Sequence, residues 1–254
     1  MEQPRIAVRL PRTLIACLFA AALRTATAGH PMLTEDTGTQ GTGNAELEFG
    51  QSWSETHGAR AFVFQPQLSY GLTPTLDLIV QPSWLANSSA GSGGVHGVGD
   101  TNVDAKWRFY GAAPLSLGIR AGAAVATSQH GLGAPKGTLS THALLIATFD
   151  AAPFTLDANL GYLHAAATPG ARRDLLHLSL AANYALTEHV ILLVDADVDS
   201  NPSRGEGRNP AVLLTGMIYT MASGLDLDIG YRAGLNRAAP AHEWLLGLTY
   251  RWAP

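Results

Sequence analysis

Tyr70-Gly-Leu-Thr-Pro74-Thr-Leu76-Asp77-Leu78-Ile79-Val80-Gln81 carries the pattern that points to the fold. An aromatic residue opens it and a short Gly/Pro turn follows. Then side chains alternate, with Leu76, Leu78 and Val80 on one face and Asp77, Ile79 and Gln81 on the other. The phrase returns at Phe109-Tyr110-Gly-Ala-Ala-Pro114-Leu115-Ser116-Leu117, at Phe149-Asp-Ala-Ala-Pro153-Phe154, at Tyr184-Ala-Leu-Thr187 and at Tyr219-Thr-Met-Ala-Ser-Gly224-Leu225-Asp226-Leu227. A soluble protein has no reason to set an aromatic at every tight turn on one side. A membrane β-barrel does, because amphipathic rings settle at the level of the lipid headgroups.

Alternation extends along the chain. Asn102, Asp104, Lys106 and Arg108 alternate with Val103, Ala105, Trp107 and Phe109. Leu225, Leu227, Ile229 and Tyr231 alternate with Asp226, Asp228, Gly230 and Arg232, and Trp244, Leu246, Leu248, Tyr250 and Trp252 stand opposite Glu243, Gly247, Thr249 and Arg251. Such segments fall at 44–54, 59–70, 75–86, 98–110, 114–127, 138–149, 154–165, 173–185, 189–199, 209–221, 224–236 and 242–252. The expected fold is therefore all-β, an antiparallel up-and-down transmembrane β-barrel of about 12 strands, an even number as in single-chain bacterial barrels. Connections after even strands are short. Those after odd strands are longer and rich in Gly, Ser, Asn and Pro, as in 87–94 and 201–208. Short turns belong to the periplasmic rim and long loops to the outside. This arrangement puts Tyr70, Phe109, Phe149, Tyr184, Tyr219 and Trp252 at one membrane interface and Trp53, Trp84 and Trp244 at the other. A β-sandwich or lipocalin-like barrel would also alternate, but neither calls for two aromatic girdles and a secretion signal.

That signal occupies residues 1–28. Arg5, Arg9 and Arg12 form a positive n-region, Leu14 to Leu23 is an apolar run too short to span a bilayer, and Ala26-Thr27-Ala28 is a cleavage site. Leu14-Ile15-Ala16-Cys17 also fits a lipoprotein box, but it leaves almost no apolar region ahead of the cysteine. With Cys17 in the leader, about 225 residues without a thiol remain, which excludes disulfides and thiol chemistry. The expected organisation is a leader, an N-terminal periplasmic or lumen-entering segment at 29–43, and a barrel at 44–254. Charged residues make up 14% and the net charge is −4, so no basic excess points to nucleic acid. The expected partners are outer-membrane lipid, the outer-membrane assembly machinery and a small-molecule solute.

The inward faces carry the candidate lumen residues. The acids are Glu46, Glu48, Asp77, Asp104, Asp157, Asp195, Asp197, Asp226, Asp228 and Glu243; the bases are Lys106, Arg108, Arg120, Arg232 and Arg251. They either line a selective polar pore or pair off in a plugged interior. Residues 29–43 either enter the lumen as a plug or hang in the periplasm, and insertion is the reading carried forward. Asp195, Asp197, Asp199 and Glu206 have the carboxylate spacing of an EF-hand loop, but Ser200 stands where that loop needs Gly, and Pro202 lies inside it. Alternate residues of one strand explain the spacing better. His177 and Ser179 share a face, as a hydrolase nucleophile and base would, yet they point inward and no Gly-rich oxyanion element lies nearby. No His spacing fits a metal site. No cofactor, metal or catalytic residue is expected.

Three stretches also resemble the outer-membrane transporter family linked to the meta-pathway of phenol degradation. They are Thr34-Glu-Asp-Thr-Gly-Thr-Gln40-Gly-Thr-Gly-Asn44-Ala-Glu46-Leu-Glu48, Leu68-Ser-Tyr70-Gly71-Leu-Thr-Pro74 and Gly97-Val-Gly-Asp100-Thr-Asn-Val-Asp-Ala-Lys106-Trp107-Arg108-Phe109. The resemblance implies an outer-membrane channel or transporter without catalytic residues. The expected function is passive uptake of small solutes, aromatic or hydrophobic ones included, through the lumen or by lateral release. The alternatives are a sealed barrel acting through its outer loops and a barrel lipid hydrolase. One departure is that Trp252, the terminal aromatic read by the assembly machinery, is followed by Ala253-Pro254.

Overall fold

A computed structural model describes residues 30–56, 59–89, 92–128, 132–205 and 207–252. The leader with Cys17, and Gly29, Glu206, Ala253 and Pro254, lie outside the described residues. The strands are β1 (Ala45–Thr56), β2 (Ala59–Thr73), β3 (Leu76–Gln81), β4 (Trp84–Ser89), β5 (Ser92–Val98), β6 (Thr101–Ala112) and β7 (Leu115–Val125). They continue with β8 (Leu139–Ala151), β9 (Phe154–His164), β10 (Asp174–Ala185), β11 (Val190–Asp199), β12 (Ala211–Ala222), β13 (Leu225–Gly234) and β14 (His242–Trp252).

Every pairing is antiparallel, and the sheet closes because β1 pairs with both β2 and β14. Ala45 faces Tyr70 on one side and Trp252 on the other. The fourteen segments form a closed barrel of twelve staves, because β3 with β4, and β5 with β6, are two staves each broken once.

The breaks revise the expected spans 75–86 and 98–110. Pro82 has no N–H for the ladder, so β3 stops at Gln81. Ser83 then turns its carbonyl to the Gly99 N–H at 2.9 Å and its Oγ to the Asp100 carbonyl at 2.9 Å. Gln81 faces Asn102, whereas Trp84 faces Val98, so one side carries an extra residue and the stave bends there. Above the bend, β4 pairs with β2 and β5, which lifts that hairpin past the end of β7.

The sorting of side chains is inverted relative to a soluble protein. On β10, Leu176, Leu178 and Leu180 are 58%, 56% and 60% exposed, while Ser179 and Asn183 are 3% and 8%. With water outside, such leucines would be buried; lipid outside removes that need. Leu178→Arg in the middle of this lipid face is expected to destabilise the bilayer-embedded barrel by about 2–4 kcal/mol, read from denaturant unfolding in liposomes.

Candidate lumen and the segment that occupies it

The period of two carries the expected acids and bases to the inner wall. Asp77, Asp104, Lys106, Asp157, Asp195, Asp197, Asp228 and Arg232 are buried there. Arg251 holds Glu46 and Asp226, each at 2.5 Å, and Arg232 holds Glu243 at 2.6 Å. These pairs cross β1, β14 and β13 as a ladder. Arg120 on β7 holds Asp104 on β6 at 2.7 Å, and His142 on β8 holds the same carboxylate at 2.8 Å. Arg108 donates to the Pro74 carbonyl at 3.1 Å, near the short turns. Asp157 accepts from Thr148 Oγ1 at 2.6 Å and from Asn183 Nδ2 at 3.2 Å.

Residues 30–43 run among these side chains. The segment leaves β1 through a turn closed by Asn44 N–H to the Gly41 carbonyl, with Gly41 and Gly43 at φ +80° and +82°. Positive φ there suits glycine. The turn lies against Gly71, which receives Gly43 N–H at 2.9 Å and donates to the Asn44 carbonyl at 3.0 Å. A Cβ on Gly71 would strike the Gly41 carbonyl, so only glycine lets the segment enter at this point.

From there the chain crosses the bore. The Gln40 N–H donates to Asp77 on β3 at 3.0 Å and the Thr37 N–H to Thr148 on β8 at 3.0 Å. Glu35 and Asn159 on β9 exchange two bonds, at 2.6 and 2.8 Å. Asp195 on β11 accepts the Leu33 N–H at 2.7 Å, the Thr34 N–H at 3.1 Å and the Thr34 hydroxyl at 2.5 Å. His30 Nδ1 meets Asp228 on β13 at 2.7 Å, and the His30 backbone N–H donates to Glu48 on β1 at 3.2 Å. A stretch without regular structure leaves its backbone N–H groups unpaired, and wall carboxylates, the Asn159 amide oxygen and the Thr148 hydroxyl supply the acceptors.

Charge also ties the segment. Lys106 Nζ lies 2.7 Å from Glu35 and 3.1 Å from Asp36, and Arg120 lies 2.7 Å from Glu35. Burial pushes the Glu35 carboxyl up, but the neighbouring Lys106 and Arg120 charges outweigh it and hold its pKa below the usual carboxylate value.

Some inward residues break the sorting. Ile79, Ile146, Leu193, Val212, Leu214 and Leu245 are buried on the inner face. Leu193, Leu214 and Leu245 pack with Met32 of the segment and with Ile218. The signal for them lies in short runs where alternation lapses, such as Ile191-Leu-Leu-Val194 and Trp244-Leu-Leu246.

Beyond the segment, two cavities open toward the long loops. One, of about 400 Å³, is bounded by His30 to Glu35 together with Glu48, Gln67, Arg120 and Arg232. The other, of about 460 Å³, is bounded by Leu33, Glu35, Arg120, His142, Leu144 and His177 among others.

Asp199 Oδ1 lies 2.8 Å from His177 Nδ1, and His177 Nε2 lies 3.0 Å from Ser179 Oγ. Ser179 is buried and does not line either cavity. The neighbouring strand N–H groups are committed to the ladder, which leaves no oxyanion donors beside it. In the Asp195–Glu206 stretch, Asp195 is taken by the segment and β11 runs straight through Asp199. Among the described residues no group of three His, Cys, Asp or Glu is arranged to hold a metal.

Outward aromatics fall into two bands. Tyr70, Phe109, Phe149, Tyr219 and Trp252 are exposed near the short turns, and Tyr184 is half-buried there against Phe154 at 5.0 Å. Near the long loops, Trp53 faces Trp244 and lies 5.2 Å from Phe62. Phe62 reaches Trp84 at 5.9 Å, and Tyr231 reaches Trp244 at 4.8 Å. Phe62 and Tyr231 enter this band through cross-strand pairing, which no single-strand motif reveals.

A family model described as "Putative MetA-pathway of phenol degradation" matches residues 52–252. Among solved structures, an outer-membrane channel from Pseudomonas putida F1 is similar over 85% of this chain and 98% of its own, with a TM-score of 0.69 at 13% identity. The NanC porin is similar over 81% of this chain and 100% of its own, with a TM-score of 0.61 at 9% identity. For the KdgM porin the figures are 82% and 99%, with a TM-score of 0.60 at 8% identity. At such identities the likeness is one of fold. No curated protein matches the chain in sequence.

Proposed function

The chain belongs to the family of the MetA-pathway of phenol degradation, and from that premise we propose that it is an outer-membrane channel passing small solutes, aromatic ones among them, without chemical change. The observation that carries this reading is the polar, charged inner wall inside an apolar exterior, with cavities of about 400 and 460 Å³ on the loop side. A barrel meant only to anchor loops has no use for a hydrated interior. In this reading the leader is removed, the assembly machinery inserts the barrel, and the outward aromatics settle at the two interfaces with outer-membrane lipid. The inward acids and bases tune which solutes pass.

A sealed barrel acting through its outer loops is the second reading. The bonds of residues 30–43 across the bore favour it, as do the loops after β9 and β11, joined by Arg172 N–H to the Pro202 carbonyl at 2.7 Å. Planar-bilayer recording separates the two. The channel reading expects discrete openings from the refolded chain, brief and rare because the segment fills the bore. A current indistinguishable from the empty bilayer, with the segment present or deleted, leaves the sealed barrel. A lipid hydrolase has the least support, because the Ser179 hydroxyl is buried away from lipid.

A further inference from the structure

Glu35 sits where a solute's carboxylate would be received. Its two oxygens take Lys106 and Arg120, each at 2.7 Å, and both cations belong to the wall whereas Glu35 arrives on the segment. Arg120 borders both cavities and, among the described residues, is the one lysine or arginine lining the cavity of about 460 Å³. Two residues before Glu35, Leu33 lines the cavity of about 460 Å³ together with Leu144, Leu163 and Leu175. An apolar side chain on a leucine wall, beside a carboxylate on a guanidinium, has the shape and chemistry of a small amphipathic acid. The volume is within the range of small-molecule sites, roughly 300–1,000 Å³. The loop that roofs this cavity through Ser200 and Pro202 carries Arg204 and Arg208, and the neighbouring loop bonded to it by the Arg172 N–H carries Arg172 and Arg173, cations at the mouth that offset Asp104 and Asp199 in the lining.

The geometry points to a binding site for small monocarboxylates with an apolar or aromatic body, for which the Leu33–Glu35 stretch is the built-in competitor. Such an acid takes Arg120 from Glu35, spreads its body over the leucines and releases the segment from the bore. Exchanging one carboxylate for another on Arg120 is by itself nearly neutral, so the apolar body supplies the preference and has to offset the segment's remaining bonds to the wall. The acid binds only where Glu35 has left, and this differential affinity is what shifts the population. The inference rests on the channel reading and adds to it the class of solute that opens the path.

The test uses the refolded full chain carrying Thr37→Cys, a position 3% exposed inside the bore, and follows its labelling by a thiol reagent. Benzoate is expected to speed labelling on the order of fivefold at saturation, while benzyl alcohol at equal concentration leaves the rate unchanged. Adding Glu35→Gln removes the competitor's charge, so labelling is fast from the start and benzoate adds little. An equal response to benzyl alcohol, no response to benzoate, or a Glu35→Gln rate equal to the parent overturns the inference. If that happens while a chain deleted for 29–43 conducts, the channel reading stands. If the deleted chain does not conduct, both fall.

Discussion

Deleting residues 29–43 is expected to raise the single-channel conductance of the refolded barrel on the order of tenfold, because current follows the cross-section of the water-filled path. The segment does not lie along one wall. It is bonded to Asp228 on β13, Asp195 on β11, Asn159 on β9, Thr148 on β8 and Asp77 on β3, so it crosses the bore. The closure of the sheet does not depend on it, since β1 closes the barrel through its own pairing with β2 and β14. The deleted chain should therefore fold, and the carboxylates left behind take up water. Recording intact and deleted chains side by side checks this, and equal conductance rejects the segment as the obstruction.

Lys106→Ala is expected to loosen the segment by about 3–5 kcal/mol, the usual cost of removing one partner from a buried ion pair. Lys106 is 6% exposed and its ammonium touches both Glu35 and Asp36, of which Asp36 is 1% exposed. Without that charge the two carboxylates gain more from water than from the bore, so the segment leaves and openings lengthen. In the chain already lacking 29–43 the same substitution should change stability little. The coupling between the two changes, read as a double-mutant cycle on unfolding or opening, isolates the ion pairs from any effect on the wall. A large loss of barrel stability in the deleted chain would instead make Lys106 a wall residue.

Most of the barrel was legible because a strand in lipid sorts its side chains every second residue. Asp77 to Gln81, Asn102 to Arg108 and Leu225 to Arg232 each displayed an inner and an outer face without reference to any neighbour. The break at Pro82 was less visible, because the alternation continues across it from Gln81 to Trp84 while the lost N–H affects only the pairing. The inward leucines Leu193, Leu214 and Leu245 escaped for another reason. The lapse of alternation shows in their own strands, but what turns them inward is packing on Met32, a residue far away in the chain. The route of residues 30–43 was hidden in the same way. Its glycines and threonines look like any polar linker, and only the folded barrel brings Asp195, Asn159 and Thr148 around it. The candidate site is thus half strand pattern, readable in advance, and half long-range contact, which is not.

Uptake of a small polar and a small aromatic solute, in parallel, into liposomes carrying the refolded chain decides whether the barrel passes solutes. Entry above that into empty liposomes is expected for at least one of them, faster after deletion of 29–43. Entry no greater than into empty liposomes for both solutes, before and after the deletion, would mean that the barrel is not a channel.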